Sequence, residues 1–255
     1  MKNKLSTYQL KGNPIVEVPV PRIGNLIYDD LGKLVLARLN EEFKGNNNIS
    51  FTEQLQKNQP LPFSNTPRVL FIDHILRKEL GNTHVLSPLD VVKYWDAIPE
   101  KSTTYADTNA IALYPKKGPH EDLKQEVLHL IGKEKIDSPL LVMGLGVKKA
   151  DNEYGFTFTE TPYREVIEAP FLTKDQRVTY DPHTQTLISG KDERSVSILT
   201  PGGQSGLRRA SRNWDDGLSF GVVDLLGSVF SLGGEISNGR VQVVQDPKGS
   251  RRKFR

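Results

Sequence analysis

The chain has 255 residues, no cysteine, and a formal net charge of +3 from 34 Lys and Arg against 31 Asp and Glu. That length buries a full core in one large domain or two modest ones, and the lack of cysteine excludes disulfides, thiolate metal sites and a Cys nucleophile. No apolar stretch reaches the roughly 18 residues that span a bilayer, and MKNKLSTYQL lacks the apolar core of a secretory signal, so a cytoplasmic location without membrane contact is expected.

Along the chain, Pro14, Pro19 and Pro21 favour extended structure in NPIVEVPVPRIGN. Asn25 then precedes a helical pattern, with Leu26, Ile27, Leu31, Leu34, Val35, Leu39 and Phe43 recurring at threes and fours. Gly45 and three asparagines end it. Arg68–Asp73 reads either as a short buried strand or as the start of a helix closed by Gly81. Ser87-Pro88-Leu89-Asp90 is a helix start, with Ser capping, Pro at the first position and an acid facing the free amides. The helix is expected to run to about Ala97.

A strand is predicted at Asn109–Tyr114, then the turn PKKGP, then an amphipathic helix ended by Gly132 with Leu123, Val127, Leu130 and Ile131 inside. SPLLVMGLGV follows as a second strand. This spacing suits a right-handed crossover or an α+β sheet flanked by helices. From Ala150 the pattern turns to strands: GFTFTE, a hairpin turning at Asp181-Pro182-His183, SVSILT, and a terminal strand in GRVQVVQDP. The class is α+β, with a helix-rich N-terminal half on a mixed sheet and a β-rich, loop-heavy C-terminal part. Residues 1–150 and 151–255 form two parts, or one continuous domain.

Known catalytic motifs do not emerge. Lys116, Lys117 and His120 stand before a helix start, where ammonium groups and free amides suit a phosphate, but the GxxxxGK pattern is missing. Gly144-Leu145-Gly146 is only half of a dinucleotide fingerprint. Asp73 and His74 are adjacent and point different ways. The other histidines, His84, His120, His129 and His183, show no metal-ligand spacing, and no GxSxG elbow occurs. No cofactor is expected, and nucleic acid would be touched only through the basic tail KGSRRKFR.

The most distinctive stretch is Gly217–Asn238, GLSFGVVDLLGSVFSLGGEISN, rich in small and apolar residues with no clean period. Every residue in it except Glu235 can be reached from an Asn codon by changes at its adenines, and no Lys occurs between Lys191 and Lys248. With its place before GRVQVV, the segment resembles the variable region of diversity-generating retroelement proteins. The resemblance covers about the last third of the chain. The family's usual closing Gly-Phe-Arg is replaced by Gly239-Arg240-Val241. The resemblance implies a C-type-lectin-like scaffold and a non-enzymatic binding protein whose diversified surface meets a protein ligand. It implies ligand contacts from Ser219, Phe220, Val222, Val223, Asp224, Leu225, Ser228, Phe230 and Ser231, braced by Arg212, Trp214 and Arg240. The alternative is a small α/β enzyme or nucleotide and phosphate binder using Lys116, Lys117 and His120.

Overall fold

The computed structural model describes residues 5–8, 16–62, 65–94, 97–98, 106–184, 186–190, 195–200, 204–213, 219–224 and 240–247. Strands β1 (Leu5–Tyr8) and β2 (Val16–Pro19) form an antiparallel pair. Strand β3 (Arg22–Asn25) precedes helix α1 (Asp30–Glu42). The helix starts later than its apolar pattern because the Asp29 carboxylate caps it, accepting from the Gly32 amide at 3.0 Å. Val35, Leu39 and Phe43 are buried, whereas Leu34 is 40% exposed and lies off the packed face.

Helix α2 (Thr66–Leu80) includes the whole Arg68–Asp73 stretch, so the strand alternative is not realised. Asn65 caps it through the Arg68 amide at 3.0 Å, Pro67 occupies the first turn, and Gly81 closes it at φ +69°. The buried residues Val69, Leu70, Ile72, Asp73 and Leu76 follow helical, not alternating, spacing.

Strand β4 (Thr83–Val85) leads into α3 (Pro88–Lys93), which carries the expected capping box between Ser87 and Asp90. The helix stops at Lys93 instead of Ala97. Strand β5 (Ala106–Leu113) is buried along its full length. Helix α4 (Glu121–Leu130) follows, with Gly132 at φ +70° beyond it. Leu123 and Val127 are fully buried, and Leu130 and Ile131 are half-buried. Next come β6 (Leu140–Met143) and β7 (Gly146–Lys149), split by Gly144 at φ +66°. A single strand through SPLLVMGLGV is therefore not formed. Because β5 and β6 pair antiparallel, the crossover alternative gives way to a sheet flanked by helices.

The remaining strands are β8 (Phe156–Thr159), β9 (Glu165–Glu168), β10 (Gln176–Asp181), β11 (Thr186–Ser189), β12 (Val196–Leu199), β13 (Leu207–Asn213), β14 (Ser219–Asp224) and β15 (Gln242–Gln245). The hairpin at Asp181-Pro182-His183 forms as expected, with Asp181 opposite Thr186. Eight strands build one sheet in the order β11-β10-β12-β14-β13-β5-β6-β9. All its pairs are antiparallel except β12 with β14. Strands from both sides of residue 150 share this sheet. A three-stranded sheet, β3-β15-β4, and the β7-β8 pair complete the α+β architecture.

Apolar clusters cover both faces of the large sheet. Even-numbered Ala110 and Ala112 of β5 pack with Leu141, Ile198 and Ala210. Odd-numbered Ile111 and Leu113 pack with Leu70 of α2 and Val127 of α4. The alternation follows from the two-residue period of a strand. Among the described residues, no helix is long and apolar enough to cross a membrane.

Candidate functional site

The C-terminal segment is partly a regular strand. Ser219, Phe220, Val222, Val223 and Asp224 lie on β14, an interior strand held on one side by β12 and on the other by β13. No alternation marks this strand, as is usual in a sheet with apolar clusters on both of its faces. Position 220 is paired with Ile198 and Arg212, and position 222 with Ala210. Ile198 and Ala210 are themselves fully buried. Leu225, Ser228, Phe230, Ser231 and Trp214 lie outside the described residues.

Of the bracing residues, Arg212 ends the ladder of β13 with β5, opposite Ala106, and pairs with Phe220 on β14. Arg240 makes a backbone bridge to Pro62 and is half-buried; burial lowers its proton affinity below the usual guanidinium value. Beyond it, β15 sits between β3 and β4. The end of β15 is fastened to the loop after α2: the Asp246 amide donates to the Asn82 carbonyl at 2.8 Å, and the Asn82 side-chain amide donates to the Asp246 carbonyl at 2.9 Å.

At the α4 start, Lys116 and Lys117 are exposed, and His120 holds a left-handed φ of 59° beside Tyr154, 5.7 Å between ring centroids. A carboxylate already stands at this helix end. Glu121 accepts from the Gly118 amide at 3.4 Å and pairs with Lys124 at 3.1 Å. Burial works against the Glu121 charge, yet the hydrogen bonds from Gln125, Lys124 and Gly118 and the Lys124 charge leave its pKa below the usual value. Lys124 is 3% exposed and reaches back to the carbonyls of Pro115 and Lys116. The turn also touches β13's approach: the Gly206 amide donates to Lys116, and a Cβ on Gly118 would collide with Ser205 and Gly206. Glu121 and Lys124 therefore occupy the helix end and tie the turn down from within, while Lys116 and Lys117 stay at the surface.

Sequence reasoning passed over two buried polar clusters. In the first, His84 of β4 bonds Asp90 through Nε2 at 2.9 Å, while Asp90 accepts from the Ser87 amide and hydroxyl at 3.0 and 2.5 Å. Asp246 lies 3.8 Å from His84 Nδ1. This cluster ties α3, β4 and the end of β15 together.

The second cluster centres on β5, where Asp107, Thr108 and Asn109 are all buried. Nη1 of Arg209, on β13, donates to both Asp107 oxygens at 2.9 and 3.0 Å. Thr108 donates to the Ala210 carbonyl at 2.7 Å across a bulge in the ladder. Asn109 is fully buried, and neither side-chain amide atom has a hydrogen-bond partner. Nearby on α2, Asp73 takes Arg77 at 2.8 Å and the Val85 amide at 2.7 Å. His74 turns the other way, its ring 6.3 Å from that of Tyr163, as adjacent helical positions require. Its Nδ1 is buried without a hydrogen-bond partner. Burial and the Lys78 charge lower the His74 pKa, against an opposing pull from Asp73. The available signal was Asp107-Thr108-Asn109 at the head of an apolar strand, since a buried strand must find partners for such groups.

No protein-family model, no curated protein and no solved structure matches the chain.

Proposed function

We propose that the chain is a non-enzymatic binding protein that presents its C-terminal segment, the variable region of a diversity-generating retroelement, to another protein. The supporting observation is how the flanks of residues 225–239 are fixed. On one side stands β14, paired with both β12 and β13. On the other, Arg240 bridges to Pro62 and β15 pairs with both β3 and β4. The connection thus joins interior strands of two separate sheets. A scaffold that fixes both ends lets the stretch between them change sequence while the fold is kept. The small and reachable residues of 217–238 supply the sequence side of the reading; within them, 219–224 would serve as scaffold on β14 and 225–238 as the changeable part. Ser and Gly would serve as adaptable polar contacts and the Phe and Leu residues as anchors.

Two measurements test it. The gene's locus should carry a template repeat and a reverse transcriptase, and a locus without them refutes diversification. Separately, libraries randomised over 225–239 and over 219–224 should be displayed and sorted for protease resistance. Folded clones should survive commonly in the first library and rarely in the second. Equal loss in both would make the segment core and sink the binding reading.

A further inference from the structure

We infer that the groove between α1 and α2 is the docking site for this chain's own basic segment, residues 248–255, with Phe254 seated on its apolar floor. The groove has a volume of about 380 Å³ and opens to solvent. Phe71 and Ile75 of α2, both only half-buried, form the floor. Arg38, Glu41 and Glu42 of α1 stand along one wall, and Lys78 and Glu79 of α2 along the other.

The charges of groove and segment are complementary. Three glutamates line the groove against two cations, and one of those cations, Arg38, pairs with Glu41 at 4.0 Å. Glu42 accepts from the Lys149 backbone amide at 3.0 Å, and neither it nor Glu79 makes an ion pair among the described residues. The segment KGSRRKFR carries five cations and no acid, with Phe254 between Lys253 and Arg255. An aromatic ring flanked by cations matches an apolar floor under an acidic rim. The Arg and Lys stems add apolar cover while their heads reach the glutamates.

The segment also starts beside the groove. Asp246, just before it in the chain, is fastened to Asn82, just beyond the end of α2. On the way there β15 passes the apolar cluster at whose margin both its Val243 and Ile75 pack. From Glu79 the groove runs back along α2 to Phe71, about 12 Å at 1.5 Å per residue. The Phe43 and Phe71 rings meet edge to face at 5.6 Å, which places the end of α1 at the far end of that path. The stretch from Lys248 to Phe254 extends to about 23 Å, enough to cover it. Tethering gives the segment an effective concentration on the order of mM, so an open groove holds it without tight binding.

The test is paramagnetic relaxation in the full-length chain, whose lack of cysteine lets Arg255→Cys carry a single nitroxide. Isoleucine δ1 methyls are ¹³C-labelled, and Ile75→Val assigns the reporter signal. The Ile75 methyl should lose most of its intensity in the oxidised sample and recover it when the nitroxide is reduced. Adding Phe254→Ala and Glu79→Gln together should restore most of that intensity, and so should salt at about 1 M, where the screening length is about 3 Å. Glu79 is exposed, so its replacement spares the core. An Ile75 signal that is not attenuated overturns the inference. So does attenuation that survives both substitutions, or that is equally strong when nitroxide and ¹³C label sit on different molecules, which would assign the groove to a second copy.

Discussion

Replacing Asp107 should be among the most damaging single changes in the protein. Its carboxylate is 1% exposed and meets Nη1 of Arg209, itself 4% exposed, at 2.9 and 3.0 Å. At an effective dielectric of about 20, opposite charges at that separation attract by about 6 kcal/mol. Several kcal/mol of desolvation per ion offset that gain, so the intact pair contributes little net stability. Removing one partner is different: Arg209 stays buried and keeps its desolvation cost without the attraction. Asp107→Leu is therefore expected to lose roughly 3–5 kcal/mol. At about 2–4 °C per kcal/mol for a chain of this size, the melting temperature should fall by roughly 6–20 °C. Arg209→Met should cost a similar amount, whereas the double variant should lie within roughly 2 kcal/mol of the parent. Urea unfolding of all four proteins closes the double-mutant cycle. A loss below about 1 kcal/mol in Asp107→Leu, or a double variant as unstable as the worse single one, would refute the reasoning.

Three further outcomes are expected. Gly144→Ala should destabilise by roughly 1–3 kcal/mol, because the backbone holds φ +66° and a Cβ would collide with the Tyr163 carbonyl; unchanged urea midpoints would contradict this. Ser87→Ala should cost roughly 0.5–2 kcal/mol, since the hydroxyl serves both the Asp90 amide and its carboxylate, and Ser87→Thr should recover much of the loss by the same denaturation assay. The pH effect of His74 follows from its lowered folded-state pKa. Its contribution is fully present above the unfolded value of about 6.5 and is lost as pH falls toward and through the folded value. Thermal melts of the parent between pH 7.5 and 5 should thus fall more steeply than those of His74→Phe, and identical slopes would remove His74 from the pH response.

The local elements were readable where a side chain serves its own backbone. Ser87 and Asp90 cap α3 within a few residues, Gly81 and Gly132 end α2 and α4, and the Asp181-Pro182-His183 turn closes its hairpin. The α+β class follows from the same short-range patterns. Reading failed where a segment serves a distant partner. Arg22–Asn25 is a strand because β15, more than two hundred residues later, pairs with it, and α1 starts only at Asp30, after the Asp29 cap. Gly217–Asn238 showed no period, yet its residues 219–224 are an interior strand paired on both edges, in a sheet with apolar clusters on both faces, where alternation is not required. The candidate sites divide in the same way. Lys116 and Lys117 were visible from sequence, but Glu121 filling that helix end and Lys124 bracing it depend on how the turn folds back.

By itself, then, the amino-acid order determined helix caps, glycine stops, the tight hairpin and the helix-to-strand change in composition. These rest on groups within one or two turns of each other, whose geometry hardly depends on the rest of the chain. Only the tertiary structure decided strand order, the antiparallel pairing of β5 with β6, and the meeting of Asp107 with Arg209 across 102 residues. Such pairings depend on which backbone edges and buried charges remain unmatched after local structure has formed, a demand that closes only when the whole sheet is assembled.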